Sequence, residues 1–292
     1  MATTRTLTAE QSGPITIDAE LLGLGGIVMV RTKRTITNAE ITIRTADDSG
    51  DSADAVRAAD LRWDQRGALV AHVRGKGGGS NSQTVITGGG RGRVTQVVSN
   101  NSGSTVIMSG GNMSFSGGTV VVNGRVVSGA GSTVIIGGST VEIEAVVPEG
   151  SSVIGRTDSA DVTADGTLAS VSGSTQSGDV TVGDSPNIVA RTQSGDVRLG
   201  RTDVVDAHTM SGDIKIKDFG GTAKLKTMSG DIDVHATAGG DIDAKTMSGD
   251  IEVTATQAAL DDFLDVRPHT MSGDIRVPRR QNTSGGPRRR RS

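Results

Sequence analysis

The residues that could carry chemistry come as one repeated phrase. Thr-x-Ser-Gly-Asp, followed by Ile or Val, occurs six times. The copies hold Ser177-Gly178-Asp179, Ser194-Gly195-Asp196, Ser211-Gly212-Asp213, Ser229-Gly230-Asp231, Ser248-Gly249-Asp250 and Ser272-Gly273-Asp274. A row of carboxylates invites a calcium reading, and Ser beside His and Asp, as in AHTMSGD (207–213), invites a hydrolytic one. The spacing speaks against calcium. Calcium-binding β-rolls repeat GGxGxDxUx about every nine residues, whereas these Asp lie 17, 17, 18, 19 and 24 apart, and only GGDID (239–243) approaches that pattern. Asp that accept hydrogen bonds from turn N–H groups is the reading adopted. Strand alternation would turn Ser211 inward and His208 outward, which speaks against a triad.

Other candidate sites fare no better. His72, His208, His235 and His269 are scattered and the chain has no Cys, so no metal centre is expected. RGKGGGS (74–80) places Lys76 ahead of its glycines, and GLGG (23–26) lacks the rest of a dinucleotide fingerprint. No catalytic residue, no metal and no cofactor is expected, and the chain is read as no enzyme.

The elements that position the phrase follow from its period. A repeat of 17 to 19 residues signals stacked turns. Within each unit, alternating Val, Ile and Thr with punctuating Gly favour strands. The expected architecture is an all-β solenoid, about two short strands per turn, with a thin aliphatic core. In KLKTMSGDIDV (224–234), alternation puts Leu225, Thr227, Ser229, Ile232 and Val234 inward, with a bend at Gly230. TQAALDDFL (256–264) explains the 24-residue interval as a short inserted helix, and ADAVRAADL (53–61) is a second helical candidate.

The outward positions form columns. Ahead of the motif Thr stand Ser174, Arg191, His208, Lys226, Lys245 and His269, and after it Gln176, Gln193, Met210, Met228, Met247 and Met271. Two readings of the Met column stay open. Either alternation slips and Met packs under a loop, or an adaptable apolar stripe faces a partner or another copy.

Composition agrees with a thin core. Of 292 residues 42 are Gly, and the aromatics are Trp63, Phe115, Phe219 and Phe263, too few to fill a wide sandwich. The start lacks a secretory pattern. LLGLGGIVMV (21–30) is about half a bilayer span and reads as two buried strand segments joined at Gly25-Gly26. A cytoplasmic location is the expectation.

The copies, with intervening GTAKLK and GGDIDAK, resemble the bacterial DUF4097 family, whose members are labelled adhesin candidates and described as β-strand repeat proteins. The resemblance is strongest over 160–277. ITIDAELLGLGGIVMVRT, ADAVRAADLRWDQ and GALVAHVRG look like the usual family start, and the long Gly/Asn-rich middle departs from the pattern. The resemblance implies a right-handed β-solenoid-like fold with no established enzymatic activity.

The chain divides into an N-terminal β segment with a short helix (1–74), a Gly/Ser/Asn-rich β segment (75–150), the repeat solenoid (151–277) and a disordered tail (278–292). The tail holds Arg279, Arg280, Arg288, Arg289, Arg290 and Arg291 and no acid, and without it 24 basic residues face 33 acidic ones, a body of −9. Two function classes follow. One is a structural or interaction scaffold that binds a protein partner or itself. The other is a recruitment factor whose tail meets nucleic acid or an anionic membrane surface, without base stacking, since no aromatic lies among the Arg.

Overall fold

The computed structural model describes residues 2–75 and 140–278, and between them the backbone of 84–86, 121–122, 125–126 and 134–136. Most of the Gly-rich segment (75–150) lies outside the described residues, as does the tail apart from Pro278.

The chain opens with β1 (Thr3–Ser12), β2 (Thr16–Leu22), β3 (Gly26–Thr32), β4 (Asn38–Thr45), α1 (Asp51–Ala58), β5 (Asp60–Asp64) and β6 (Ala68–Arg74). Four short strands follow, β7 (Thr84–Ile86), β8 (Val121–Val122), β9 (Arg125–Val126) and β10 (Val134–Ile136). Then come β11 (Val141–Val147), β12 (Ser152–Thr157), β13 (Asp161–Thr167), β14 (Ser170–Ser174), β15 (Val180–Asp184) and β16 (Asn187–Arg191). The longest strands are β17 (Val197–His208), β18 (Ile214–Lys226) and β19 (Ile232–Lys245). The chain closes with β20 (Ile251–Ala255), α2 (Gln257–Asp261), β21 (Leu264–His269) and β22 (Ile275–Arg276).

The repeats stack in parallel, one turn upon the next, as a β-solenoid. Val180 pairs with Val197, Val197 with Ile214, Ile214 with Ile232, Ile232 with Ile251 and Ile251 with Ile275. The hydrophobic positions of one motif therefore form one column. Each turn has two faces, and β17, β18 and β19 run through both, with a register shift where they bend. Ile214, Ile232 and Ile251 are fully buried. Burying one such side chain stabilises by about 1.5–3 kcal/mol.

The stack reaches back across a long excursion. β12 pairs with β2 and β13 with β3, so the first turn is built from residues 16–32 and the next from 152–167. LLGLGGIVMV supplies two strand segments, β2 and β3, linked by Gly23 to Gly25. At this end the pairing changes direction. β4 runs antiparallel to both β1 and β11, and β5 runs antiparallel to β6. Helix α1 buries Ser52, Ala53, Ala55 and Val56 there, packing on β1, β4 and β6.

The second helix, α2, is the insertion in the 24-residue interval. Thr256 caps it, accepting from the Ala259 N–H at 3.2 Å, which satisfies a donor that the first turn leaves free. Phe263 follows at φ 53 and is exposed, whereas Phe219 is wholly buried. No helix among the described residues is long and apolar enough to cross a membrane.

Candidate functional site

The repeated phrase sits at a corner between the two faces of each turn, and its parts divide the work. Thr is buried in the first five copies, half-buried at Thr270, and bonds along the stack. Thr192 Oγ1 donates to the Gly178 carbonyl of the preceding turn at 3.2 Å and accepts from its own Gly195 N–H at 3.0 Å. Thr209, Thr227, Thr246 and Thr270 donate in the same way to Gly195, Gly212, Gly230 and Gly249 at 3.1–3.2 Å. A buried hydroxyl needs such a partner, and here the acceptor is always a carbonyl of the turn before.

Gly is compelled by closeness. A Cβ on Gly195 would stand 1.9 Å from the Gly178 carbonyl oxygen, and one on Gly230 would stand 2.0 Å from that of Gly212. At Gly230 the backbone also takes φ 159, near the edge of extended geometry, so the contact rather than the dihedral decides the residue.

Asp forms a second ladder. The N–H of Asp179 donates to Asp161 Oδ1, that of Asp196 to Asp179, and that of Asp213 to Asp196, each at 2.9 Å. Asp231, Asp250 and Asp274 continue it onto Asp213, Asp231 and Asp250 at 2.8–2.9 Å. The acceptor is thus the carboxylate of the preceding turn, a partner that strand alternation within one turn does not reveal. Like charges stacked this closely need offsetting. Arg198 supplies it for two of them, meeting Asp179 Oδ2 and Asp196 Oδ2 at 2.6 Å each, and Lys215 lies 3.9 Å from Asp213. Burial alone would raise the Asp179 carboxyl, but the Asp196 N–H and the Arg198 guanidinium hold it below the usual carboxylate range.

Ser corrects the alternation argument. Ser177, Ser194, Ser211, Ser229, Ser248 and Ser272 are exposed rather than inward. The corner turns two consecutive residues outward, the one after Thr and then Ser, before Gly passes under its neighbour. His208 and Ser211 are both outward, and among the described residues no hydrogen bond joins them. Arg198 and Lys215, which follow the motif, serve the Asp ladder, whereas the column ahead of the motif keeps to the other side of the corner.

That column and its neighbour are continuous. Ser174, Arg191, His208, Lys226, Lys245 and His269 pair in sequence across five ladders. At the corner, Ser211, Ser229, Ser248 and Ser272 are joined by parallel bridges, and the Ser229, Ser248 and Ser272 N–H groups donate to the Met210, Met228 and Met247 carbonyls at 2.9–3.0 Å. The four Met therefore repeat at strand spacing, about 4.8 Å. They are 50, 46, 48 and 74% exposed, so no loop among the described residues covers them. Lys226, Lys245, Met228, Met247, His269 and Met271 line most of an open groove of about 420 Å³. One turn-stack earlier, where Gln176 and Gln193 replace Met, the same face carries Arg156 and Arg191 and is polar.

Among the described residues no cluster of three or more His, Asp or Glu has the arrangement of a metal site. The six tail Arg lie outside the described residues.

No curated protein matches the chain. Among solved structures it is similar to a candidate adhesin from Parabacteroides distasonis, at 10% identity and TM-score 0.39, covering 95% of this chain and 97% of that one. A candidate adhesin from Bacteroides fragilis is similar at 13% identity and TM-score 0.37, over 95% and 97%. A candidate cell adhesion protein from Clostridium sporogenes stands at 7% and 0.29, over 95% and 98%. At such scores the assignment rests on sequence. The model of the Toastrack DUF4097 family matches residues 55–290, most of the chain, and the chain belongs to that family.

Proposed function

We propose that this chain is a non-catalytic β-solenoid, an adhesin-like interaction scaffold that binds through its outward columns. One observation carries the reading. The Thr hydroxyl of every copy, and the Asp carboxylate of every copy but the last, is engaged with the backbone of a neighbouring turn. What recurs and stays exposed is a surface of basic and Met side chains. Repetition of an exposed apolar residue along a stack is the form a binding face takes in a solenoid.

The test is association of the purified full chain, by light scattering with negative-stain microscopy. Substitution of the outward Met should change association or partner binding without changing the melting temperature. Unchanged association and binding in every outward variant would contradict the scaffold.

A second reading, recruitment to a polyanion through Arg279, Arg280 and Arg288 to Arg291, is favoured by the contrast between those six Arg and a −9 body. Its test compares the full chain with one lacking 278–292 on heparin, duplex DNA and anionic vesicles at two salt concentrations. Retention that depends on the tail and falls steeply with salt supports it. Equal retention of both chains contradicts it.

A further inference from the structure

The Met groove has a floor, a wall and a charge, and together these specify a ligand. The floor is the ladder of Met228, Met247 and Met271, adaptable thioether side chains on adjacent turns. The wall is the basic column. Lys245 Nζ is held by Asp243 at 2.8 Å, whereas Lys226 makes no ion pair among the described residues. Thioethers beside imidazoles could also suit a soft metal ion, but the Lys226 ammonium on the same wall, which no carboxylate among the described residues pairs, repels a cation. An anion with an apolar body fits both features.

The period of the ladder narrows the body. An extended peptide laid along the stack would present same-side residues every 6.6–6.8 Å or so, out of step with turns about 4.8 Å apart. An unbranched alkyl chain has no register to match. An anionic bilayer is disfavoured by Asp231 and Asp250, which stand on the far side of the same corner and make no ion pair among the described residues. Lys226 stands in the column ahead of the motif Thr, on the other side of that corner, where a single carboxylate can meet it.

We propose that this groove binds a single-chain anionic amphiphile, a long-chain carboxylate, with its alkyl chain along Met228, Met247 and Met271 and its head group at Lys226. The proposal rests on the scaffold reading, in that it takes the outward columns as the binding face. The two fail separately, because the scaffold is tested by association and this site by a small ligand.

The experiment is calorimetric titration of the full chain with dodecanoate below its micelle concentration, beside dodecyl maltoside and dodecyltrimethylammonium. The variants are Met228→Gln with Met247→Gln, since Gln occupies this position in two other copies, and Lys226→Ser, since Ser174 stands in that column. Both substitutions follow the protein's own usage, so the fold should survive, and an unchanged melting curve verifies that. Saturable one-to-one binding of dodecanoate is expected, weakened about tenfold or more by the Met pair and several-fold by Lys226→Ser. The neutral and cationic amphiphiles should bind more weakly. No saturable binding, equal affinity for all three amphiphiles, or full affinity in both variants would overturn the proposal. So would binding to phosphatidylglycerol vesicles without binding to free dodecanoate, which would identify a membrane surface instead.

Discussion

The Asp196 N–H donates to Asp179 Oδ1 at 2.9 Å across one turn of the stack, and Arg198 holds the second oxygens of both carboxylates at 2.6 Å. The arrangement favours the ionised form of Asp179. Asp218 is likewise held below the usual range, first by the Thr237 hydroxyl and then by Arg201.

These two carboxyls set the expected acid response. A carboxyl with a lowered folded-state pKa contributes stability that is present above its unfolded value, about 3.9, and is lost as pH falls through the folded value. Stability should therefore change little between about pH 7 and pH 5 and decline below about pH 4. Urea unfolding at a series of pH values checks this. A maximum on the acid side of pH 4 would contradict it.

The motif Gly offers a sharper test. In Gly230→Ala the new methyl would meet the Gly212 carbonyl oxygen at 2.0 Å, and the obstacle is backbone, which cannot swing aside. Overpacking of this kind should cost about 3 kcal/mol, the upper end of the usual range, because backbone must move. Ser229→Ala, one residue earlier and exposed, should stay within about 0.5 kcal/mol. Denaturant midpoints of the two variants decide, and equal midpoints would refute the close contact.

One motif position should give two answers depending on the turn. Ile232 is fully buried between Ile214 and Ile251, whereas Ile275, in the last turn, is 44% exposed. Ile232→Asp should cost several kcal/mol, since it buries a charge in a thin apolar core. Ile275→Asp should cost roughly 1 kcal/mol or less. Comparable losses at both sites would argue against the stack ending where it does.

The two ends of the stack differ, and this bears on assembly. One end carries antiparallel strands and α1, while at the other β22 pairs with β20 and β21 with β19, each on one side only among the described residues. Open edges invite pairing with another chain. Pro278, which cannot donate a ladder bond, stands two residues past the end of β22, with Arg279 and Arg280 after it. Deleting residues 278–292 should raise the oligomer size seen by light scattering. Long filaments of the full chain would contradict the block.

How much of this was legible in the sequence depends on the kind of pairing involved. The columns could be read because identical residues recur at one position, so Met228 above Met210 needed only the period. The direction of Ser229 could not, because alternation assumes a straight strand and the corner turns two successive residues outward. The carboxylate acceptor for the Asp196 N–H was equally hidden, since it belongs to a different turn. Nor did any repeat signal announce that β2 would pair with β12, over a hundred residues away. Such a contact is specified only by the hydrophobic faces that happen to meet.

The central claim is that the repeated phrase works on the protein's own backbone, and amide hydrogen exchange of the isotope-labelled chain tests it most directly. The Asp196, Asp213, Asp231 and Asp250 amides should be protected although they lie near the surface, because each donates to the carboxylate of the turn before. In Asp213→Ala the Asp231 amide alone among them should lose protection, by about fivefold or more, the worth of one such bond. If these amides exchange as fast as those of an unfolded chain, or if Asp231 is unaffected by the loss of Asp213, the ladder is not there and the motif must have been kept for something else.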